Sequence, residues 1–151
     1  MPSSSYFVVF TLDNQSYALS LDAIETVVRA VQLTLVPEAP EIVSGLINRG
    51  GTIIPVLDIR KRFHLPSRDM KIEDRIIVSK TPFGLIAILV DKIEGLVEFD
   101  SNETFDGGTI VPNMDGRVEG VGIFKDHTVL IYDISKLFSI RDIEGLNLDV
   151  D

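Results

Sequence analysis

A chain of 151 residues, 45 % apolar and 25 % charged, is long enough to bury one core or two small ones without metal or disulfide staples. It has no cysteine, which excludes a disulfide framework, a thiol nucleophile and any thiolate metal site. The net charge is −9 and residues 75–151 hold 7 basic against 14 acidic side chains, a field that repels both a phosphate backbone and an anionic membrane surface.

The longest uninterrupted apolar stretch, Leu85 to Val90, is far short of the roughly 20 residues a membrane helix needs. Met1-Pro2-Ser3-Ser4-Ser5 offers export machinery neither a basic cluster nor an apolar core, so a cytoplasmic location is the expectation. In chain order, Tyr6–Leu12 and Tyr17–Leu19 flank turn residues at Asp13-Asn14-Gln15 and read as a hairpin of half-buried to buried strands. Leu21-Asp22-Ala23-Ile24-Glu25 places Asp three residues before Glu, ahead of apolar Val27-Val28. That is a helix-start pattern, with Asp22 as the cap of a short helical turn. At Asp58 an apolar strand gives way to a segment with Ile59 and Phe63 on one face, so Asp58 also reads as an N-cap. His64–Asp74 is polar and contains Pro66, as a connection should. Arg75–Ser79, a turn through Lys80–Gly84, and Leu85–Val90 then repeat the opening order of strand, turn, strand.

The repetition extends to residue types. Leu21-Asp22-Ala23-Ile24-Glu25 corresponds to Val90-Asp91-Lys92-Ile93-Glu94 at an offset of 69, and Ile54–Phe63 corresponds to Val129–Phe138 at an offset of 75. Gly45-Leu46 and Gly120-Val121 keep the second offset. Two ordered matches separated by a six-residue insertion near Gly107-Gly108 indicate an internal duplication. By the same correspondence Asp91 and Asp133 read as caps. The expected fold is mainly β: two five-stranded β-barrel subdomains, 6–63 and 75–138, with short helices, joined by 64–74 and followed by an acidic segment 139–151. Units this small bury too little surface alone, so they should pack on one another or exchange a strand, leaving a shared hydrophobic groove.

Catalytic chemistry is not legible. His64 and His127 stand alone without ligand spacing, and Gly120 and Gly122 precede a strand with no Lys-Ser/Thr behind them. No carboxylate pair has a spacing suited to acid–base work. No enzyme, cofactor or metal is expected; edge strands and apolar surfaces suit an interaction module.

Val36–Arg60 combines a Pro-rich approach, Gly45, an Asn48-Arg49-Gly50-Gly51 turn, an apolar strand containing Pro55, and Asp58-Ile59-Arg60. It resembles the signature of the CheW family of chemotaxis coupling proteins, and the similarity runs through Tyr6–Leu12, Tyr17–Val27 and the second copy to Phe138. The resemblance implies two five-stranded barrels around a hydrophobic groove. It also implies a non-catalytic adaptor between the cytoplasmic tips of chemoreceptors and the regulatory domain of the histidine kinase CheA. Carried over by alignment, Leu21, Ile24 and Val27 fall on apolar contact positions, and Gly45 and Asn48 match the motif. Where the family pattern has Arg this chain has Gly50, and Thr26 stands where an acidic residue commonly opposes it. Losing both charges strands neither, which points to a repacked face. Arg49 is adjacent but, at an unchanged Gly45–Pro55 spacing, would need a local bulge to substitute. A coupler for twitching motility or development, and less favourably a small-ligand β-barrel, are the other readings the sequence admits.

Overall fold

The computed structural model describes residues 6–99, 104–106, 118–144 and 146. The strands are β1 (Tyr6–Leu12), β2 (Gln15–Ser20), β3 (Ile24–Arg29), β4 (Val43–Arg49), β5 (Thr52–Leu57), β6 (Arg75–Thr81), β7 (Gly84–Val90), β8 (Lys92–Glu98), β9 (Thr104–Asp106), β10 (Val118–Phe124) and β11 (His127–Tyr132). One-turn helices α1 (Ile59–Arg62) and α2 (Ile134–Leu137) follow β5 and β11, and 3₁₀ turns occupy Leu21–Ala23 and Ile140–Asp142. The Gly107-Gly108 insertion lies outside the described residues.

Two sheets form, in the orders β8-β1-β2-β11-β10-β9 and β3-β6-β7-β5-β4. Each order has two ends, so these are open sheets and not closed barrels, and one has six strands where five were expected. Neither sheet is built from one copy. The β1–β2 hairpin of residues 6–63 joins β8–β11 of the second copy, and the β6–β7 hairpin of that copy joins β3–β5 of the first. The exchange happens because the chain leaves its sheet directly after each hairpin, at the Leu21–Ala23 turn and at the single residue Asp91 between β7 and β8. Parallel contacts seal both insertions: Ala18 opposite Ile131, and Ala87 opposite Val56. These two pairs are each other's duplicates.

The irregularities are duplicated as well. The register slips at Glu25 between β3 and β6, and at Glu94 between β8 and β1. It slips again at Ser44 and at its duplicate, Glu119. Three of the four lie on the end strands β3, β4 and β8 and the fourth on β10, next to the end; each extra residue bends its strand and raises its twist, which helps an open sheet curl. Even β9 has a counterpart, the isolated bridge of Thr34 to Leu46, whose duplicate Val121 pairs with Phe105.

Strand alternation then sorts side chains into three cores. Phe10, Leu12, Tyr17 and Leu19 meet Ile77, Ile86, Ile88 and Val90 between the sheets, with Leu57, Ile59, Tyr132, Ile134 and Phe138. The apolar seam foreseen between the copies is this buried cluster. The opposite face of the six-stranded sheet gathers Val9, Ala18, Phe99, Val129 and Ile131, and that of the five-stranded sheet gathers Ile47, Ile54, Val56, Ile76, Val78 and Ala87.

Helix caps follow the sequence at two of four places. Asp58 accepts the Lys61 amide at 3.1 Å and Asp133 accepts the Ser135 amide at 2.9 Å. Asp22 is not a cap; Ser20 Oγ accepts the Asp22 amide at 3.2 Å instead. Asp91 starts no helix at all. Its carboxylate receives Arg60 Nη2 at 2.8 Å, Arg68 Nη2 at 2.6 Å and the Asp13 amide at 2.9 Å. Arg60 also pairs with Asp13 at 2.8 Å and donates to the Pro66 carbonyl at 2.9 Å, while Arg68 holds the buried Asp74 at 2.8 Å. This network ties the β1–β2 turn, α1, the 64–74 connection and the start of β8 across the seam. His64, with φ of 59°, closes α1: its amide donates to Lys61 and that of Leu65 to Arg60, the hydrogen bonds of a helix C-terminus.

Candidate partner-binding face

The sequence-derived residues fall along β3 and the β4–β5 hairpin. On β3, burial alternates: Ile24, Thr26 and Val28 are half-buried, whereas Glu25, Val27 and Arg29 are exposed. Ile24 packs against the core between the sheets. Leu21 and Val27, 38 % and 37 % exposed, present apolar side chains to solvent at opposite ends of this stretch. Val27 has an exposed duplicate, Leu96 on β8, so both outer strands carry an apolar residue at the same position.

Gly45 is buried and belongs to the frame of the face. A Cβ there would lie 2.8 Å from both Leu33 Cβ and the Thr34 carbonyl oxygen. The hydrogen-bonded bridge of Thr34 to Leu46, at 2.9 and 2.8 Å, requires that approach. Asn48 is likewise committed, its Oδ1 accepting the Gly51 amide at 2.8 Å. Arg49 pairs with Thr52 across a two-residue turn whose Gly50 and Gly51 have φ of 59° and 94°. Positive φ at both central residues is the hairpin turn that matches strand twist, and glycine adopts it without strain. The duplicate turn, Lys125-Asp126, has the same backbone with φ of 50° and 66°. No bulge intervenes between Gly45 and Arg49, so the register leaves Arg49 at its own position and Gly50 at the tip.

β3 and β4 are the two ends of the five-stranded sheet, yet they share a concave mouth of about 430 Å³. Val28, Val31, Leu46 and Ile47 supply its apolar lining, and Arg29, Asn48 and Arg49 its polar one. The sheet therefore curls until its outer strands face each other across residues 31–34. Of the sequence-derived residues, the mouth gathers Asn48 and Arg49; Leu21 and Ile24 sit at the far end of β3. Sequence reasoning missed Arg29, Val31 and Leu46. Arg29 had one signal: a cation ending an apolar strand in an acidic chain.

Among the described residues, no group of three or more His, Cys, Asp or Glu could hold a metal ion, and no helix is long and apolar enough to cross a membrane. Burial pushes the Asp91 carboxyl upward, but Arg60, the Asp13 amide and Arg68 outweigh it and hold the group below its ordinary range. Arg68 is held well above its ordinary value, first by its hydrogen bonds to Asp74, against the opposing effect of burial. These charges are fixed, as a structural network needs, not poised near neutrality as proton transfer would require.

Comparison with known proteins follows the same outline. The CheW-like domain family matches residues 6–142. A chemotaxis protein CheW from Thermotoga maritima is 30 % identical over 129 residues, covering 85 % of this chain and 83 % of the relative. Another, from Treponema pallidum, is 22 % identical over 144 residues, covering 92 % and 85 %. The crystal structure of the scaffolding protein TtCheW from Thermoanaerobacter tengcongensis superimposes with a TM-score of 0.81 at 30 % identity, over 97 % of this chain and 95 % of that one. With both sheets and both copies inside the matched region, the chain belongs to the CheW-like domain family.

Proposed function

We propose that this protein is a non-catalytic coupler in chemotaxis signalling, linking the cytoplasmic tips of chemoreceptors to the histidine kinase CheA through the kinase's regulatory domain. The observation that carries this reading is the family match across 6–142 together with the 0.81 superposition on a scaffolding protein of that family. Two curled sheets joined back to back suit an adaptor, because each offers its own rim to a different partner while the seam stays rigid. Residues 6–63 supply the mouth of the five-stranded sheet among the described residues, and 75–138 supply both end strands of the other, β8 and β9. In this reading Leu21, Thr26, Val27, Asn48, Arg49 and Gly50 form the contact face, with Ile24 and Gly45 holding it in shape. The protein would work in the cytoplasm, at receptor arrays it reaches through its partners.

Reconstitution tests the proposal. Kinase autophosphorylation is measured with receptor membranes, with and without this chain. Receptor-dependent control appearing only in its presence supports coupling, and identical rates overturn it. Thr26→Glu and Gly50→Arg, singly and together, then report on the face. Non-additive changes in affinity are expected if the positions interact, whereas small additive changes separate them.

A further inference from the structure

With no cysteine in the chain, its two copies are joined covalently only through residues 64–74, and that connection divides in the middle. Its first part belongs to the amino-terminal copy. The His64 and Leu65 amides donate to the Lys61 and Arg60 carbonyls at 3.1 and 2.8 Å, and the Pro66 carbonyl accepts Arg60 Nη1 at 2.9 Å. Its last part belongs to the carboxy-terminal copy. Arg68 grips Asp74 through both Nη atoms at 2.9 and 2.8 Å and Asp91 at 2.6 Å, and the Lys71 amide donates to Asp74 Oδ2 at 2.8 Å. Ser67 is tied to neither; it is exposed and makes no hydrogen bond among the described residues. Pro66 holds its own φ near −65° and disfavours a helical turn at Leu65, so an extended path is open to the backbone here.

We propose that two copies of this chain trade halves about Ser67, residues 6–63 of one closing on 75–138 of the other. The contacts across the seam join one half to the other and are made equally well by a second chain: β1 with β8, β2 with β11, β3 with β6, β5 with β7, and the ion pairs Arg60–Asp91 and Arg62–Asp142. Both anchored parts of the connection survive the trade, so the closed monomer and the traded dimer differ in the backbone around Ser67. Chain concentration and the hinge set the balance, not new contacts. Opening the seam uncovers Phe10, Leu19, Ile77 and Ile88, all fully buried, so the choice is made while the chain folds and not between folded molecules. The traded dimer presents every outer surface twice, and any partner that is itself clustered is then held with the avidity of two sites.

The test exploits the cysteine-free sequence. Thr11 on β1 and Lys92 on β8 are paired in register, and antiparallel pairs hold their Cα atoms about 4.5–5.5 Å apart, a span that a disulfide bridges. Thr11→Cys is placed in one full-length chain and Lys92→Cys in another of distinguishable mass. The two are unfolded together, refolded at about 5 and about 500 µM, oxidised, and read by non-reducing electrophoresis and mass spectrometry. At the high concentration the mixed pair should exceed either like pair about fivefold or more. At the low concentration, or when the two chains are mixed already folded, it should be scarce. A chain carrying both substitutions is the control and closes the bridge within itself when refolded dilute. Inserting about six Gly and Ser residues after Ser67 relaxes the closed form and should lower the mixed product about twofold or more. A statistical mixture, with mixed pairs about twice either like pair, shows collision or a dimer through outer surfaces and overturns the trade. So does the absence of mixed product at the high concentration from chains whose circular dichroism is native. A mixed product indifferent to the insertion overturns the hinge at Ser67.

Discussion

Gly45→Ala separates a frame residue from a contact residue within one motif. The new Cβ would sit 2.8 Å from Leu33 Cβ and from the Thr34 carbonyl oxygen, so the 31–34 segment must retreat by roughly 0.6 Å to reach ordinary contact. That retreat stretches the two Thr34–Leu46 hydrogen bonds from 2.9 and 2.8 Å towards the limit of bonding. Two weakened backbone bonds at about 1 kcal/mol each give about 2 kcal/mol, inside the range of roughly 1–3 kcal/mol for overpacking a well-filled site. For a domain of this size the melting temperature should fall by roughly 4–8 °C. Circular dichroism at 25 °C should stay native. The control is Gly95→Ala on β8, where an added Cβ finds only Phe124 Cζ at 3.8 Å and should cost almost nothing. If Gly45→Ala melts with the unaltered chain yet loses partner binding, the clash argument fails and Gly45 is a contact residue.

Two further predictions concern the seam. Asp91→Asn leaves Arg60 with Asp13 and Arg68 with Asp74, so the loss at pH 7 should be about 2 kcal/mol, below the roughly 3–5 kcal/mol of a stranded buried charge. Because the folded state lowers the Asp91 pKa, its contribution is present above the unfolded value near pH 4 and vanishes as pH falls through the folded one. Denaturant melts should show the gap between the two proteins narrowing below about pH 4, and a gap constant from pH 7 to pH 3 refutes the network's role. Ser79, duplicate of the core residue Phe10, buries a hydroxyl that has no hydrogen-bond partner among the described residues. Ser79→Ala should therefore stabilise by about 1 kcal/mol, read as a rise of roughly 2–4 °C, and a fall in melting temperature refutes it.

What the sequence made legible was local. Tyr6–Leu12 and Leu85–Val90 read as strands because runs of apolar residues between turn residues have few alternatives, and Asp58 and Asp133 read as caps because the apolar pattern changes period beside them. Glu25 and Glu94 were visible as repeats, yet their shared role is a register slip, which depends on strands 54 to 84 residues away in the chain. Asp91 was misread for the same reason. Asp followed by Glu fits a helix start locally, but Arg60 and Arg68 arrive from elsewhere and take the carboxylate. The hairpin exchange was equally hidden, since pairing β2 with β11 is decided by packing across more than a hundred residues, not by any window of the chain. On the candidate face, Asn48 and Gly50 were reached through the family motif and its turn, while Arg29, whose one signal was a cation ending an apolar strand, and Val31, which had none, gained their place only once the curl of the sheet brought them opposite Arg49.

The traded hairpins have a consequence for how such a chain comes into being. During synthesis the amino-terminal ribbon emerges long before the strands that must flank it, and the middle strands wait for a ribbon made after them. Neither half can complete its own sheet without the hairpin of the other. A nick in the 64–74 connection would leave two fragments, each holding what the other lacks. The identity of each half is thus stored in its neighbour, and two copies make one inseparable fold.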